Sequence, residues 1–244
     1  MNKIDELAQI FAEYKIYPQK RYDKHSPVRV FQKMFPGNHY SKDLETFLSY
    51  QDYKFEQRGA DLPWWGRKYF GEEKGSRTMI IAQDSEMPNA GSIALFAQLF
   101  PVIDSLEQYK KFVIALGKKG NYGFAQRFRV KKQIINWGLD FDFLYITDAS
   151  KVYENNNSFN KIKSKELLER EIDFCNPSLI ILLGAQPLYL LDKTKKFGDV
   201  VGKNILIKGR NCAVAPFITG LGISRKDFKP RLAMVSNLIK ELKK

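Results

Sequence analysis

Apolar positions recur at helical spacing through Ile4, Leu7, Ile10 and Phe11, which predicts a short amphipathic helix over residues 3–15. Residues 16–75 are rich in Tyr, Phe, Pro and Gly without a clear period and read as an irregular extension. The pattern changes at residues 78–83, where Met79, Ile80 and Ile81 form a short apolar run typical of a buried strand. A polar loop follows over residues 84–89, and apolar, helix-like residues run from 92 to 100. Further strands are predicted over residues 141–147 and 179–183. Residues 205–207 and 213–215 form either a hairpin or two successive strands around Gly209, Arg210 and Asn211. Helical stripes recur at Leu167, Leu168 and Ile172 (residues 165–174) and at Leu232, Val235, Leu238, Ile239 and Leu242 (residues 230–242). Strands alternating with helices predict a mostly parallel sheet with helices on both faces. In such sheets the ligand site lies beyond the carboxyl ends of the strands, so the exits at Gln83-Asp84, Thr147-Asp148 and Ala215-Pro216 matter most.

Composition adds limits. The chain has 244 residues, 44% hydrophobic and 27% charged, enough for one sizeable core with ordinary globular usage. Its longest apolar runs fall far short of the roughly 18 residues of a membrane span, so no transmembrane helix is expected. Asp5, Glu6 and Glu13 break up the N-terminal apolar residues and argue against a secretory signal. Cys175 and Cys212 are too few for a disulfide framework, a cysteine-ligated cluster or a four-thiolate zinc site, which fits a reducing cytoplasm. His25 and His39 lack metal-ligand spacing and read as surface or satisfied core residues, so no metal or cofactor is expected.

Charge is more telling. The 40 Lys and Arg exceed the 27 Asp and Glu by 13, a balance that favours polyanionic partners. Residues 1–75 hold 13 basic and 11 acidic side chains, so +11 of that excess falls on residues 76–244. No acidic residue occurs between Glu107 and Asp140, where Lys110, Lys111, Lys118, Lys119, Arg127, Arg129, Lys131 and Lys132 are interleaved with Tyr and Phe. Such a segment suits phosphate contacts and base stacking; it reads equally as two amphipathic helices with solvated basic faces. Trp64-Trp65-Gly66-Arg67-Lys68 has the same two readings, a nucleic-acid contact or a docking anchor for the extension.

Three segments occur in one order: Ile81-Ala82-Gln83-Asp84-Ser85-Glu86, then Leu144-Tyr145-Ile146-Thr147-Asp148-Ala149-Ser150-Lys151, then Pro177-Ser178-Leu179-Ile180-Ile181-Leu182-Leu183-Gly184-Ala185. This order resembles the uracil-DNA glycosylase superfamily, over residues 70–244. In that superfamily the first strand ends in a water-activating loop, often with a Gln-Asp pair. A later strand ends in Thr-Asn or a similar pair followed by Lys, and a Pro-x-x-Ile-x-x-Leu-Gly strand leads to the last loop. Pattern and resemblance together give the expected architecture: an N-terminal extension, residues 1–75, packed on a three-layer α/β/α domain, residues 76–244, with a central, mostly parallel four-stranded sheet.

Breaking an N-glycosidic bond builds positive charge on the sugar and negative charge on the departing base. The resemblance therefore implies Asp84 as the water-positioning, catalytic carboxylate, although a loop aspartate at a strand end also serves as an N-cap. It implies Gln83, Phe96 and Asp148 as the base pocket, with Phe96, or else Phe100, as the stacking face; a helix-borne Phe is also ordinary core. Asp148 stands where relatives commonly carry Asn, and an ionised carboxylate only accepts hydrogen bonds, so a base other than uracil comes into question. Glu86 stands where some relatives keep an aromatic side chain that excludes the thymine methyl group. Candidate DNA contacts are Lys118, Lys119, Arg127 and Lys151, together with the loop residues Pro216, Phe217, Ile218 and Leu221 as wedges for the gap left by a flipped base. Ala215 stands at the aligned position of the superfamily's His, which removes one donor to the departing base; such a loss costs about 10² to 10³ in rate.

The expected function is DNA binding, single- or double-stranded, with hydrolysis of the bond to uracil or another deaminated or damaged base. Two other readings stay open: a noncatalytic member that binds nucleic acid or protein, and an enzyme acting on a small nucleotide or nucleoside.

Overall fold

The computed structural model describes residues 3–14, 63–83, 97, 100, 105–115, 124–152, 159–218 and 225–243. Helix α1 (Lys3–Ala12) leads to a two-residue strand β1 (Trp64–Trp65), then β2 (Thr78–Ala82), α2 (Leu106–Ala115) and α3 (Phe124–Asn136). Strand β3 (Leu144–Asp148) is followed by α4 (Lys161–Cys175), β4 (Leu179–Leu183), α5 (Ala185–Leu191) and α6 (Phe197–Val200). The hairpin β5 (Asn204–Ile207) and β6 (Arg210–Ala215) and the helix α7 (Arg225–Leu242) complete the described elements.

Among the described residues the sheet is mixed and has six strands, in the order β1-β3-β2-β4-β6-β5, two more than the expected four. Strands β3, β2, β4 and β6 run parallel, and every residue of β2, β3 and β4 is buried. That burial explains their almost continuous apolar sequences, since a parallel sheet is covered on both faces. The two extra strands are antiparallel edges, with Trp64 opposite Ile146 on one side and Asn204 opposite Ala213 on the other. The β1 edge places the end of the extension inside the sheet, so a division at residue 75 cuts across it. Likewise Leu7, Ala8 and Phe11 of α1 are fully buried in the same core cluster as Ile80 and Ile181.

The chain passes from β2 through α3 to β3 on one side, then returns through α4 to β4 on the other. Two crossovers running in opposite directions, with the right-handed connection that parallel strands favour, place α3 and α4 on opposite faces. Helix α4 covers the face carrying Tyr145 and Thr147, because Tyr145 Oη donates to Glu171 Oε1 at 2.6 Å. Helix α7 packs on β6 and is tied to the end of α3 by Trp137 Nε1, which donates to Ser236 Oγ at 3.1 Å.

Three local expectations change. Residues 141–143 form a 3-10 turn rather than the start of β3, because the Asp140 side chain accepts from the Asp142 amide at 2.9 Å. That local hydrogen bond offers the backbone an alternative to the sheet ladder. The hairpin turn sits at Lys208 and Gly209, both at positive φ (49° and 76°), as a tight two-residue hairpin requires, and Arg210 and Asn211 belong to β6. Helix α7 begins at Arg225, before Pro230, whose place inside the helix is exposed to solvent, where water can satisfy the carbonyl that loses its partner.

Candidate functional site

Strand order reverses between β2 and β4, so the crevice expected of an open α/β sheet lies beyond Ala82 and Leu183. Four strand ends meet along this edge. Ala82 is the register partner of Asp148, and Leu183 that of Ala215. Beyond β2, the Gln83 carbonyl accepts from the amides of Ala149 (3.2 Å) and Ser150 (3.1 Å), while the Gly184 amide donates to the Ala215 carbonyl at 2.8 Å. The fold therefore brings half-buried Gln83 beside fully buried Asp148. Side chains alternate along a strand, so with Tyr145 and Thr147 turned to α4, Asp148 turns to the opposite face with Ile146.

Gly184 joins β4 to α5 at φ 90° and ψ −177°, a region essentially restricted to glycine. A Cβ there would meet Phe217 Cβ at 3.5 Å, an ordinary contact, so the constraint is backbone conformation rather than space. Gly184→Ala is expected to lose about 1–3 kcal/mol in urea unfolding. Gly198→Ala, on α6 with open space around it, should be neutral or slightly stabilising, and equal losses at both positions would refute the backbone argument.

A second polar group lies behind the edge, on the α4 face. Lys151 Nζ donates to Thr147 Oγ1 at 2.6 Å and is ion-paired with Glu171 Oε2; Lys151 and Glu171 are both 0% exposed. Tyr145 Oη completes the carboxylate, and the Phe11 ring covers the ammonium, its centroid 5.4 Å from Nζ. Buried charges persist in this way only when paired and hydrogen-bonded. Lys151 is therefore corrected: enclosed by α1, α4 and β3, it is no DNA contact. Sequence reasoning missed Glu171, yet a signal was present. The buried stripe of α4 runs Ser164, Leu167, Leu168, Glu171, Ile172, Cys175, with the glutamate at a core-facing helical position.

The remaining candidates divide. Pro216 is buried, Phe217 is half-buried against Gly184, and Ile218 is 2% exposed within the core cluster. Ile218 is thus corrected from a DNA wedge to a packing residue; its apolar side chain is already covered. Phe100, the alternative stacking face, is buried with its ring 6.4 Å from that of Phe141. Trp64 and Trp65 are buried too, so they anchor the chain rather than meet a nucleic acid. Arg127 lies on α3. Asp84, Glu86, Phe96, Lys118, Lys119, Leu221, His25 and His39 lie outside the described residues.

Both thiols are poor nucleophiles here. Burial pushes the Cys212 thiol up, and burial followed by the nearby Glu171 carboxylate pushes Cys175 up. Among the described residues, no three His, Cys, Asp or Glu side chains group as metal ligands, and no helix is long and apolar enough to cross a membrane. No model of a known protein family matches the chain, and no curated protein matches it.

Proposed function

We propose that this chain binds DNA and hydrolyses the N-glycosidic bond of uracil or another deaminated or damaged base, in the manner of the uracil-DNA glycosylases it resembles. One observation carries the reading: Gln83 and Asp148 meet at the carboxyl edge of the sheet, where strand order reverses. In this reading Asp84, the next residue after Gln83, positions the attacking water and offsets charge on the sugar. Asp148, closed to solvent in this structure, accepts a hydrogen bond from the edge of a base that must first open the crevice, which suits a base with a donor there. The excess of +11 on residues 76–244 supplies attraction for phosphates, and the buried, free thiols suit a reducing cytoplasm.

A binding module without this chemistry is the second reading, favoured by the exit of β6. Ala215, Pro216, Phe217 and Ile218 offer the departing base no side-chain donor.

The deciding assay incubates the protein with labelled duplex and single-stranded oligonucleotides carrying uracil, hypoxanthine, xanthine or a mismatch, and scores abasic sites. Under the first reading the parent cleaves at least one substrate, and Asp84→Asn loses about 10²-fold or more. Salt-sensitive binding without abasic product supports the module instead. Neither binding nor product would discard both readings.

A further inference from the structure

The hydrogen bonds behind the strand exit enclose one short turn, residues 148–152. On one flank, the amides of Ala149 and Ser150 donate to the Gln83 carbonyl. On the other, Ser164 Oγ accepts from the amides of both Lys151 (3.2 Å) and Val152 (3.0 Å). Between them Lys151 reaches back four residues to Thr147, the last residue before Asp148, and ties it to Glu171 on α4. Four consecutive amides and the Lys151 side chain of one turn are thus committed to neighbours at the exit of β2, on β3 and on α4. Surface turns do not need this. A charged pair taken out of water is costly, and one of its attested uses is to select a single arrangement over its competitors. Here the selected arrangement has Thr147 held to the α4 face, and the pleat then sends the buried Asp148 carboxylate to the other face of the sheet, at the strand end that lies beside Gln83.

We propose that Lys151, acting through Thr147 and backed by Glu171 and Tyr145, is a positioning residue that fixes the direction of Asp148. It touches no substrate. The inference rests on the reading of Asp148 as a base-pocket group, but the geometry it concerns can be measured without any catalysis.

The test uses the full chain labelled with side-chain 13C-carboxyl aspartate and uniform 15N, in the parent, Thr147→Val, Thr147→Ser and the apolar pair Lys151→Met/Glu171→Leu. Thr147→Val removes the acceptor while nearly keeping the volume, and Thr147→Ser restores the hydroxyl. Thr147→Val is expected to displace the Asp148 carboxyl resonance while the other described aspartates stay in place. It should also speed hydrogen exchange at Ala149 and Ser150 by about tenfold. Thr147→Ser should return both to parent values. The apolar pair, which need not lose stability, should displace the resonance as Thr147→Val does. If both Thr147→Val and the apolar pair fold and leave the resonance and the exchange at parent values, the inference is overturned. A general loss of stability with those two signals unmoved overturns it equally, since that is what a merely structural pair would give. Failure of the glycosylase reading appears elsewhere, as absence of abasic product from the parent.

Discussion

Lys151→Met is expected to destabilise the fold by about 3–5 kcal/mol, because it leaves the Glu171 carboxylate buried with its cationic partner removed. Against the usual 5–15 kcal/mol of a domain, that is enough to lower the urea midpoint severely. Glu171→Gln keeps a single acceptor oxygen where Tyr145 and Lys151 each donate to a carboxylate oxygen of their own, strands the ammonium, and should also lose stability. Lys151→Met/Glu171→Leu should recover most of the deficit, since a well-packed apolar replacement for a buried pair is often neutral or stabilising. The double-mutant cycle is therefore strongly non-additive. Losses below about 1 kcal/mol in the single variants would place the pair among solvent-screened surface bridges instead.

The pair also marks where the sequence stops being readable. Strands β2 and β4 were legible because both their faces are covered, which leaves Met79, Ile80 and Ile81, and Leu179 to Leu183, as unbroken apolar runs. Helix α4 was legible from Leu167, Leu168 and Ile172, and the structure extends it to Asn160, whose side chain accepts from the Lys163 amide at 2.9 Å as an N-cap. Lys151 was not, because a lysine is solvent-exposed by default and its burial depends on a carboxylate 20 positions away on another element. Strand β1 escaped for a different reason: two residues carry no period, and their pairing with Trp64 opposite Ile146 is a long-range event. Ile218 was read as a wedge because an apolar loop residue looks the same in sequence whether it faces solvent or fills a core.

The candidate site was legible only in part. The Gln83 and Asp148 positions followed from strand ends, which a parallel fold aligns along one edge, and their proximity required no more than the correct order of β2 and β3. Of the support behind them only Glu171, in the core-facing stripe of α4, left a signal in the sequence; its partners are brought to it from β3 and α1 by tertiary packing. Arg170 illustrates the same coupling at the surface, clasping Glu13 at 2.5 and 2.7 Å and so holding α1 against α4. The carboxyl of Glu13 is held below its ordinary range by the Arg170 hydrogen bond, but the pair is open to water and its stabilisation is small. The burial of Leu7 and Phe11 therefore dominates the docking of α1.

Trp65→Ala is expected to cost about 3–5 kcal/mol, as large as removing half of the buried ion pair, because an aromatic deleted from a close-packed core leaves a cavity. Trp65 is 2% exposed, stacks on Tyr145 with centroids 6.2 Å apart and planes at 12°, and meets the edge of Phe70 at 5.7 Å. The stacked Tyr145 is the same residue whose hydroxyl completes the Glu171 carboxylate, so the cavity opens directly beside the ion pair. Arg67→Ala, two residues on, supplies the contrast: Arg67 reaches Asp142 at 3.1 Å but is 65% exposed, and a pair so open to water contributes little. Urea unfolding of the two variants separates two pictures of the N-terminal region. A large loss for Trp65→Ala beside a negligible one for Arg67→Ala means that β1 is an integral strand, and that unfolding the extension unfolds the sheet cooperatively. Two small losses would mean that residues 63–75 detach from an otherwise intact sheet, returning the domain boundary to residue 75. Because Trp65 lies against the Tyr145 side of β3, the first outcome would also make the extension part of the support beneath Asp148, joining the stability of the N-terminal region to the geometry of the crevice edge.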